Sequence, residues 1–209
     1  MPYSSFSLSQ VKSEFGIVTN ESEDLFAEVA PVKASELLSL ILKEQLPIAG
    51  AINTEKARSE LIIMPVLIEM RRILNGQIAV FSGSTFVVEP DRGLDGKCDF
   101  LLSRSTEQYY ITHPVVTIVE AKNESIPSGL GQCAATMIAA RLFNQREGIS
   151  AERQPIYGAV TTGTDWKFLK LVGDTVFIDL SAYYIKEIDK ILGILLSTFE
   201  PEQQRTISA

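Results

Sequence analysis

Two carboxylates and one amine occupy positions from which they could act on a common group. Asp99 lies near the start of a predicted strand, and Glu120 and Lys122 lie two residues apart at the end of another. Charged side chains at the exit of a buried strand are costly to desolvate unless something compensates them. A metal ion or a substrate would do so, and so would an ion pair at the edge of the core. The residue types alone allow both interpretations.

The strand that ends in Glu120 and Lys122 is predicted over residues 115–122, which begin as a run of β-branched apolar residues. Strand side chains alternate between two faces, so Val116, Ile118, Glu120 and Lys122 are predicted to share one face. The opposite face is also mostly apolar. This pattern is typical of a central strand that is covered on both sides.

A third carboxylate is predicted on a helix over residues 53–74, kinked at Pro65. A threonine cap and an acid in the first turn mark its start. On a regular helical wheel Glu60 lies beside apolar residues three, four and seven positions later, which makes it a candidate functional acid. Glu55 and Glu69 fall on a mixed face, where a solvated role is sufficient.

The elements that must position these residues alternate between helical and strand patterns. The helix over residues 130–144 carries Gln132 at its N-terminal end, from which its side chain could point toward Glu120 and Lys122. His113, the only histidine, is read as a loop residue. The other predicted helices cover residues 8–15, 35–46 and about 185–196, and the other strands cover residues 77–81, 85–89 (joined by a turn at 82–84), 97–102, 156–162, 166–172 and 175–178.

Composition limits the classes of partner. The net charge is −7 over 209 residues, which argues against indiscriminate binding to nucleic acid. A nucleic-acid site on this chain would require a local basic patch. Two cysteines do not form a disulfide framework. No membrane span or signal peptide is recognisable, so the expected location is cytoplasmic. Candidates for a basic patch are Arg58, Arg71, Arg72, Arg92, Lys97, Arg104 and Lys167.

The order of these elements and residues resembles the PD-(D/E)XK nuclease superfamily, the restriction-endonuclease-like fold. Asp99 and Glu120-Ala121-Lys122 match its signature, although Cys98 stands where many members have proline. Glu60, or less closely Glu55, matches the acid of the first helix, and Gln132 matches the glutamine of the second. The stretch 161–166 is similar to the nuclease domain of type I restriction motor subunits.

The resemblance implies a three-layer α/β/α core with a central mixed β-sheet, formed by residues 53–172. We expect one domain over residues 1–209. The N-terminal helical extension, residues 1–52, and the C-terminal helix, residues 180–200, lie outside the resemblance.

The resemblance also implies the chemistry. Asp99, Glu120, Glu60 and the Ala121 carbonyl would hold Mg²⁺, or Mn²⁺, while Lys122 would orient water or stabilise charge and Gln132 would position phosphate. The expected function is endonucleolytic hydrolysis of DNA, with a homodimer possible and a protein partner that could supply DNA recognition. The alternatives are a catalytically silent module for interaction or regulation, and an RNA or nucleotide substrate.

Overall fold

The computed structural model describes residues 2–149 and 154–200. Within this part of the chain, eight strands form one mixed sheet in the order β1-β7-β6-β5-β4-β3-β2, and β8 pairs with β6. Neighbours are antiparallel except for the parallel pairs β4–β5 and β1–β7. The strands are β1 (Val18–Asn20), β2 (Ala79–Glu89), β3 (Leu94–Ser103), β4 (Val115–Ala121), β5 (Ile156–Thr161), β6 (Asp165–Val172), β7 (Thr175–Ile178) and β8 (Tyr183–Tyr184).

Helices cover both faces of the sheet, which confirms the predicted three-layer α/β/α architecture. One apolar cluster joins the sheet to α1 and α5, and a second joins it to α2, α4 and α6. No described helix is both long and apolar enough to cross a membrane. The helices are α1 (Leu8–Phe15), α2 (Glu36–Ile52), α3 (Glu55–Arg58), α4 (Met64–Ile73), α5 (Ile126–Arg146) and α6 (Ile188–Ser197).

Strand β4 lies at the centre of the core, as its sequence predicts, and all seven of its residues are buried. A bulge alters its alternation, because Leu102 pairs with Thr117 whereas Ser103 pairs with Val115. Val116 is the extra residue and packs on the α2–α4–α6 side with Val119, so its predicted face is wrong. Ile118 packs on the α5 side, and alternation from it directs Glu120 and Lys122 toward α5.

The connection from β4 through α5 to the parallel strand β5 places the start of α5 beside the end of β4. Close packing here depends on small residues. A Cβ atom on Gly158 of β5 would lie 2.5 Å from Met137 Sδ and 2.8 Å from Cys133 Sγ. The predicted alanine stripe of α5 is buried at Ala135, Ala139 and Ala140. The helix is thereby held tightly against the sheet.

Between α3 and α4 the chain forms one π-helical turn, Ser59–Ile63. The Met64 amide donates to the Ser59 carbonyl, which is the five-residue spacing of a π-helix, and Pro65, which has no N–H, follows directly. The turn inserts one residue into the helical repeat, so Ala57 and Ile62 are buried five positions apart. The predicted kink is therefore a change of helical phase.

Other boundaries also differ from the predictions, and α5 begins at Ile126 and not at residue 130. Helix α2 continues through Pro47 to Ile52 instead of ending before it. The two strands predicted around residues 82–84 are one strand, β2, with Gly83 at φ +62° inside it. The N-terminal extension is not wholly helical, because β1 pairs with β7 and so belongs to the sheet.

Candidate functional site

Asp99, Glu120 and Lys122 come together where β3 and β4 pair. Lys122 Nζ donates to Glu120 Oε1 at 2.6 Å. Asp99 Oδ2 accepts the backbone N–H of Ala121 at 2.8 Å, which fixes its carboxylate beside that of Glu120. The Glu120 side chain is 1% exposed and that of Lys122 is 18% exposed. The three predicted groups therefore form one cluster that is closed to bulk water at the glutamate and opens at the lysine.

The electrostatics of the cluster are set by burial and by two adjacent carboxylates. The pKa of Glu120 is raised to about 9, first by burial and then by the negative charge of Asp99, and the Lys122 ammonium offsets only part of this. Burial lowers the pKa of Lys122, but the charge of Glu120 and the hydrogen bond to it outweigh burial, so the net direction is upward. Lys122 is therefore protonated. The negative charge of Asp99 disfavours a negative charge on Glu120, and the reverse also holds.

Gln132 lies where the sequence predicts it, at the N-terminal part of α5. Its Oε1 accepts from Lys122 Nζ at 3.3 Å, so the amide and Glu120 hold the ammonium between them. Gly129, one turn earlier, leaves space for this lysine. A Cβ atom there would lie 2.6 Å from Val160 Cγ1 and 3.0 Å from Lys122 Cγ. No sequence pattern indicates this role for Gly129, because a single glycine in a helix can have many structural reasons.

Of the two acids predicted for this segment, Glu55 and not Glu60 interacts electrostatically with the cluster. Glu60 is 63% exposed and pairs with Lys56 at 3.7 Å across one helical turn. Burial raises the pKa of Glu55, the charge of Lys122 lowers it and the charge of Asp99 raises it again, so Glu55 lies within electrostatic reach of both. The prediction that Glu60 lies on the apolar face is wrong, because the π-helical turn shifts the phase of the wheel.

The donor set fits a hard divalent cation through a pair of carboxylates. No group of three or more His, Cys, Asp or Glu side chains within residues 2–149 and 154–200 is arranged to hold a metal. Mg²⁺ requires only one or two carboxylates, because it retains several water ligands. Asp99 and Glu120 supply such a pair, and a cation would relieve the repulsion that raises the pKa of Glu120.

A polar cleft of 570 Å³ adjoins the cluster on the side of β5. Arg58 spans it, donating to the Thr162 carbonyl at 2.8 Å and to Asn53 Oδ1 at 2.9 Å. Asn123, the residue after Lys122, forms part of the opposite wall. The cleft is lined by Asn53, Arg58, Asn123, Glu124, Ser125, Ile126, Pro127, Thr162, Thr164 and Asp165.

Most of the cations predicted for a basic patch hold the fold together instead. Arg71, Arg104 and Lys167 donate to backbone carbonyls, and Arg72 and Arg92 pair with glutamates of their own segments. Lys97 is exposed on β3, two residues before Asp99 in the chain. The cations that remain near the cluster are Arg58 and Lys97.

A comparison of this chain with protein-family models, with curated proteins and with solved structures finds no match.

Proposed function

We propose that the protein is a metal-dependent nuclease that hydrolyses phosphodiester bonds, most plausibly in DNA. The observation that carries the proposal is the cluster of Asp99, Glu120, Lys122 and Gln132 at the end of β4, with Glu55 in electrostatic reach. Its resemblance to the PD-(D/E)XK signature concerns the residue types and their order. The geometry adds the contacts among them, which the sequence could not supply.

Each residue has a role that follows from its contacts. Asp99 and Glu120 would hold Mg²⁺ or Mn²⁺, with the Ala121 carbonyl as a further candidate ligand. When bound, the cation supplies a positive charge that favours water as a nucleophile and stabilises the charge that develops on phosphate. Lys122 remains protonated and directs its ammonium at the same region, and Gln132 orients that ammonium. Glu55 is better placed than Glu60 to accept a proton from water.

Incubation of supercoiled, linear and single-stranded DNA with Mg²⁺ or Mn²⁺ tests the proposal. Wild type should nick or cut at least one substrate, and Lys122→Ala should reduce the rate by about 100-fold or more. Lys43→Ala is the matched control, because Lys43 is an exposed lysine of α2 outside the cluster. Calorimetry should show metal binding to wild type that Asp99→Ala weakens.

Two results would contradict the proposal. Cleavage that survives in Lys122→Ala would point to a contaminating nuclease, and equal metal affinity of wild type and Asp99→Ala would remove the metal assignment. No cleavage of any substrate would favour the alternative, a nuclease-like fold that serves as an interaction or regulatory module.

The proposal extends to partners and location. Cutting both strands of a duplex is simplest with two copies, and α2 offers an outer apolar face on which Leu37, Leu40, Ile48 and Ile52 are each about half exposed. Sedimentation of Ile48→Glu against wild type tests this contact. A separate protein could supply DNA recognition, since few free cations surround the cluster. A cytoplasmic location would give access to such a substrate.

A further inference from the structure

The cleft beside the cluster borders the reacting region directly. Asn123 in its wall follows Lys122 in the chain. Thr162 in its floor follows Thr161, whose carbonyl accepts the Lys122 N–H at 2.8 Å. A group bound in the cleft would therefore lie next to a phosphate that contacts the Lys122 ammonium. The cleft is thus placed to receive the part of a substrate that flanks the scissile bond.

The charges that line the cleft do not favour a second phosphate. Arg58 is its only cation, and Glu124 and Asp165 oppose it. The carboxylate of Asp165 already accepts the hydroxyls of Thr162 at 3.1 Å and Thr164 at 2.6 Å. The remaining lining consists largely of amide and hydroxyl groups, so it suits a neutral ligand that forms hydrogen bonds.

Two polar atoms in the cleft wall lack partners. Asn123 Oδ1 and Arg58 Nε are buried and have no hydrogen-bond partner within the described chain. Leaving such an atom unsatisfied costs about 1–3 kcal/mol. Asn123 lines the cleft, where a ligand with a donor and an acceptor edge would satisfy its amide. The edge of a nucleobase has that chemistry.

The volume of the cleft favours unpaired over paired nucleic acid. A cavity of 570 Å³ lies within the range of small-ligand pockets, roughly 300–1,000 Å³. It can accept a single nucleotide, whereas a duplex, whose major groove alone is about 12 Å wide, cannot enter it. A base can enter only if it is unpaired or displaced from the stack.

We infer that this cleft holds the base of an unpaired nucleotide adjacent to the phosphate that is cut. The inference rests on the proposed nuclease function and assigns its substrate class: a strand that is single-stranded or splayed at the cut position. Asn123 contacts the base, and Arg58, fixed by Asn53 and Thr162, forms the rigid side of the cleft.

The test compares three labelled DNA substrates of one sequence: a single strand, a full duplex and a forked duplex. Wild type should cut the single strand and the fork at least about tenfold faster than the duplex, because only an unpaired base can enter the cleft and gain the hydrogen bonds there. Asn123→Ala should slow cleavage of the unpaired substrates by about tenfold and leave duplex cleavage unchanged. Asn20→Ala on the distant edge strand β1 makes the same chemical change and should have no effect.

A second variant fills the cleft without relying on Asn123. Ser125 is exposed and its side chain makes no capping hydrogen bond to α5, so Ser125→Trp should fold while its indole occupies the space of a base. It should abolish the preference for unpaired strands. If wild type cuts the duplex as fast as the single strand and neither variant changes the ratio, the inference is overturned and the nuclease proposal stands. If wild type cuts no substrate, both fail.

Discussion

Glu69 and Glu120 are both almost completely buried, and each contacts a cationic side chain, yet their pKa values move in opposite directions. Burial raises the pKa of Glu69, but hydrogen bonds from Arg72 and from the Ser35 amide, at 3.1 Å, together lower it below its ordinary value. Glu120 has one donor, Lys122, and a second carboxylate beside it, so its pKa rises to about 9.

The difference distinguishes a carboxylate that stabilises the fold, Glu69, from one whose surroundings favour binding of a cation, Glu120. Glu69 joins α4 to the start of α2 and has its charge fully satisfied. Glu120 can become negatively charged only at a cost in this environment, and a bound cation would offset that cost. A buried acid whose environment opposes its own charge is a better indicator of a site than burial alone.

The largest effect on stability is expected from Glu120→Gln. On folding at pH 7, Glu120 must either take up a proton or bury its charge beside Asp99, and an amide avoids this cost, so the free energy of unfolding should rise by about 1–3 kcal/mol. Urea unfolding measures the change, and metal-dependent cleavage should be lost in the same variant. A destabilised Glu120→Gln would show that the ion pair with Lys122 serves the fold.

Glu69→Gln should act in the opposite direction. It removes the negative charge that pairs with Arg72 and weakens the bond from the Ser35 amide, so the free energy of unfolding should fall by about 1–2 kcal/mol. Glu44→Gln, at an exposed position of α2, is the matched control and should change stability by less than about 0.5 kcal/mol. If Glu69→Gln and Glu44→Gln changed the free energy of unfolding equally, the Glu69 carboxylate would not stabilise the fold. The contrast between Glu69 and Glu120 would then be lost.

The dependence of stability on pH should reveal both carboxylates in one protein. The pKa of Glu120 is raised from 4.5, so its contribution is complete below that pH and is lost as pH rises toward 9. The pKa of Glu69 is lowered, so its contribution is present above 4.5 and is lost as pH falls below it. Unfolding of wild type and both variants between pH 3 and 9 should therefore show the Glu120→Gln difference growing with pH and the Glu69→Gln difference shrinking at acid pH. Parallel curves would contradict both assignments.

The smallest effect on stability is expected from Gly129→Ala, which sharpens the contrast by displacing Lys122 without changing any charge. The new methyl would press on Val160 and Lys122, so it should lower the free energy of unfolding by about 1 kcal/mol. The rate of cleavage should fall by more than this loss of stability explains. Gly50→Ala in α2, where nothing lies within 4 Å of the added atom, is the control and should be neutral or stabilising. Unchanged cleavage in Gly129→Ala would show that the position of Lys122 is not critical.

The sequence predicted those parts of the site that depend on local pattern. Asp99, Glu120 and Lys122 could be found because strand alternation is a two-residue repeat, and Gln132 because it lies early in a clear helical pattern, although α5 begins at Ile126, one turn before the predicted start. Glu60 was misplaced because the helical wheel assumes 3.6 residues per turn, which the π-helical turn violates. The burial of Glu69 depends on Ser35 of another helix, and no local pattern contains that contact.

The π-helical turn makes the length of this segment matter for function. Deleting one residue within Ser59–Ile63 would restore the ordinary repeat and rotate Glu55 and Arg58 by about 100° relative to α4. The apolar residues of α4 would keep their places, so the change would spare most of the core while turning an acid and an arginine away from the cluster. A single-residue gap at this point in a related sequence would therefore mark a protein that has kept the fold and lost these two groups.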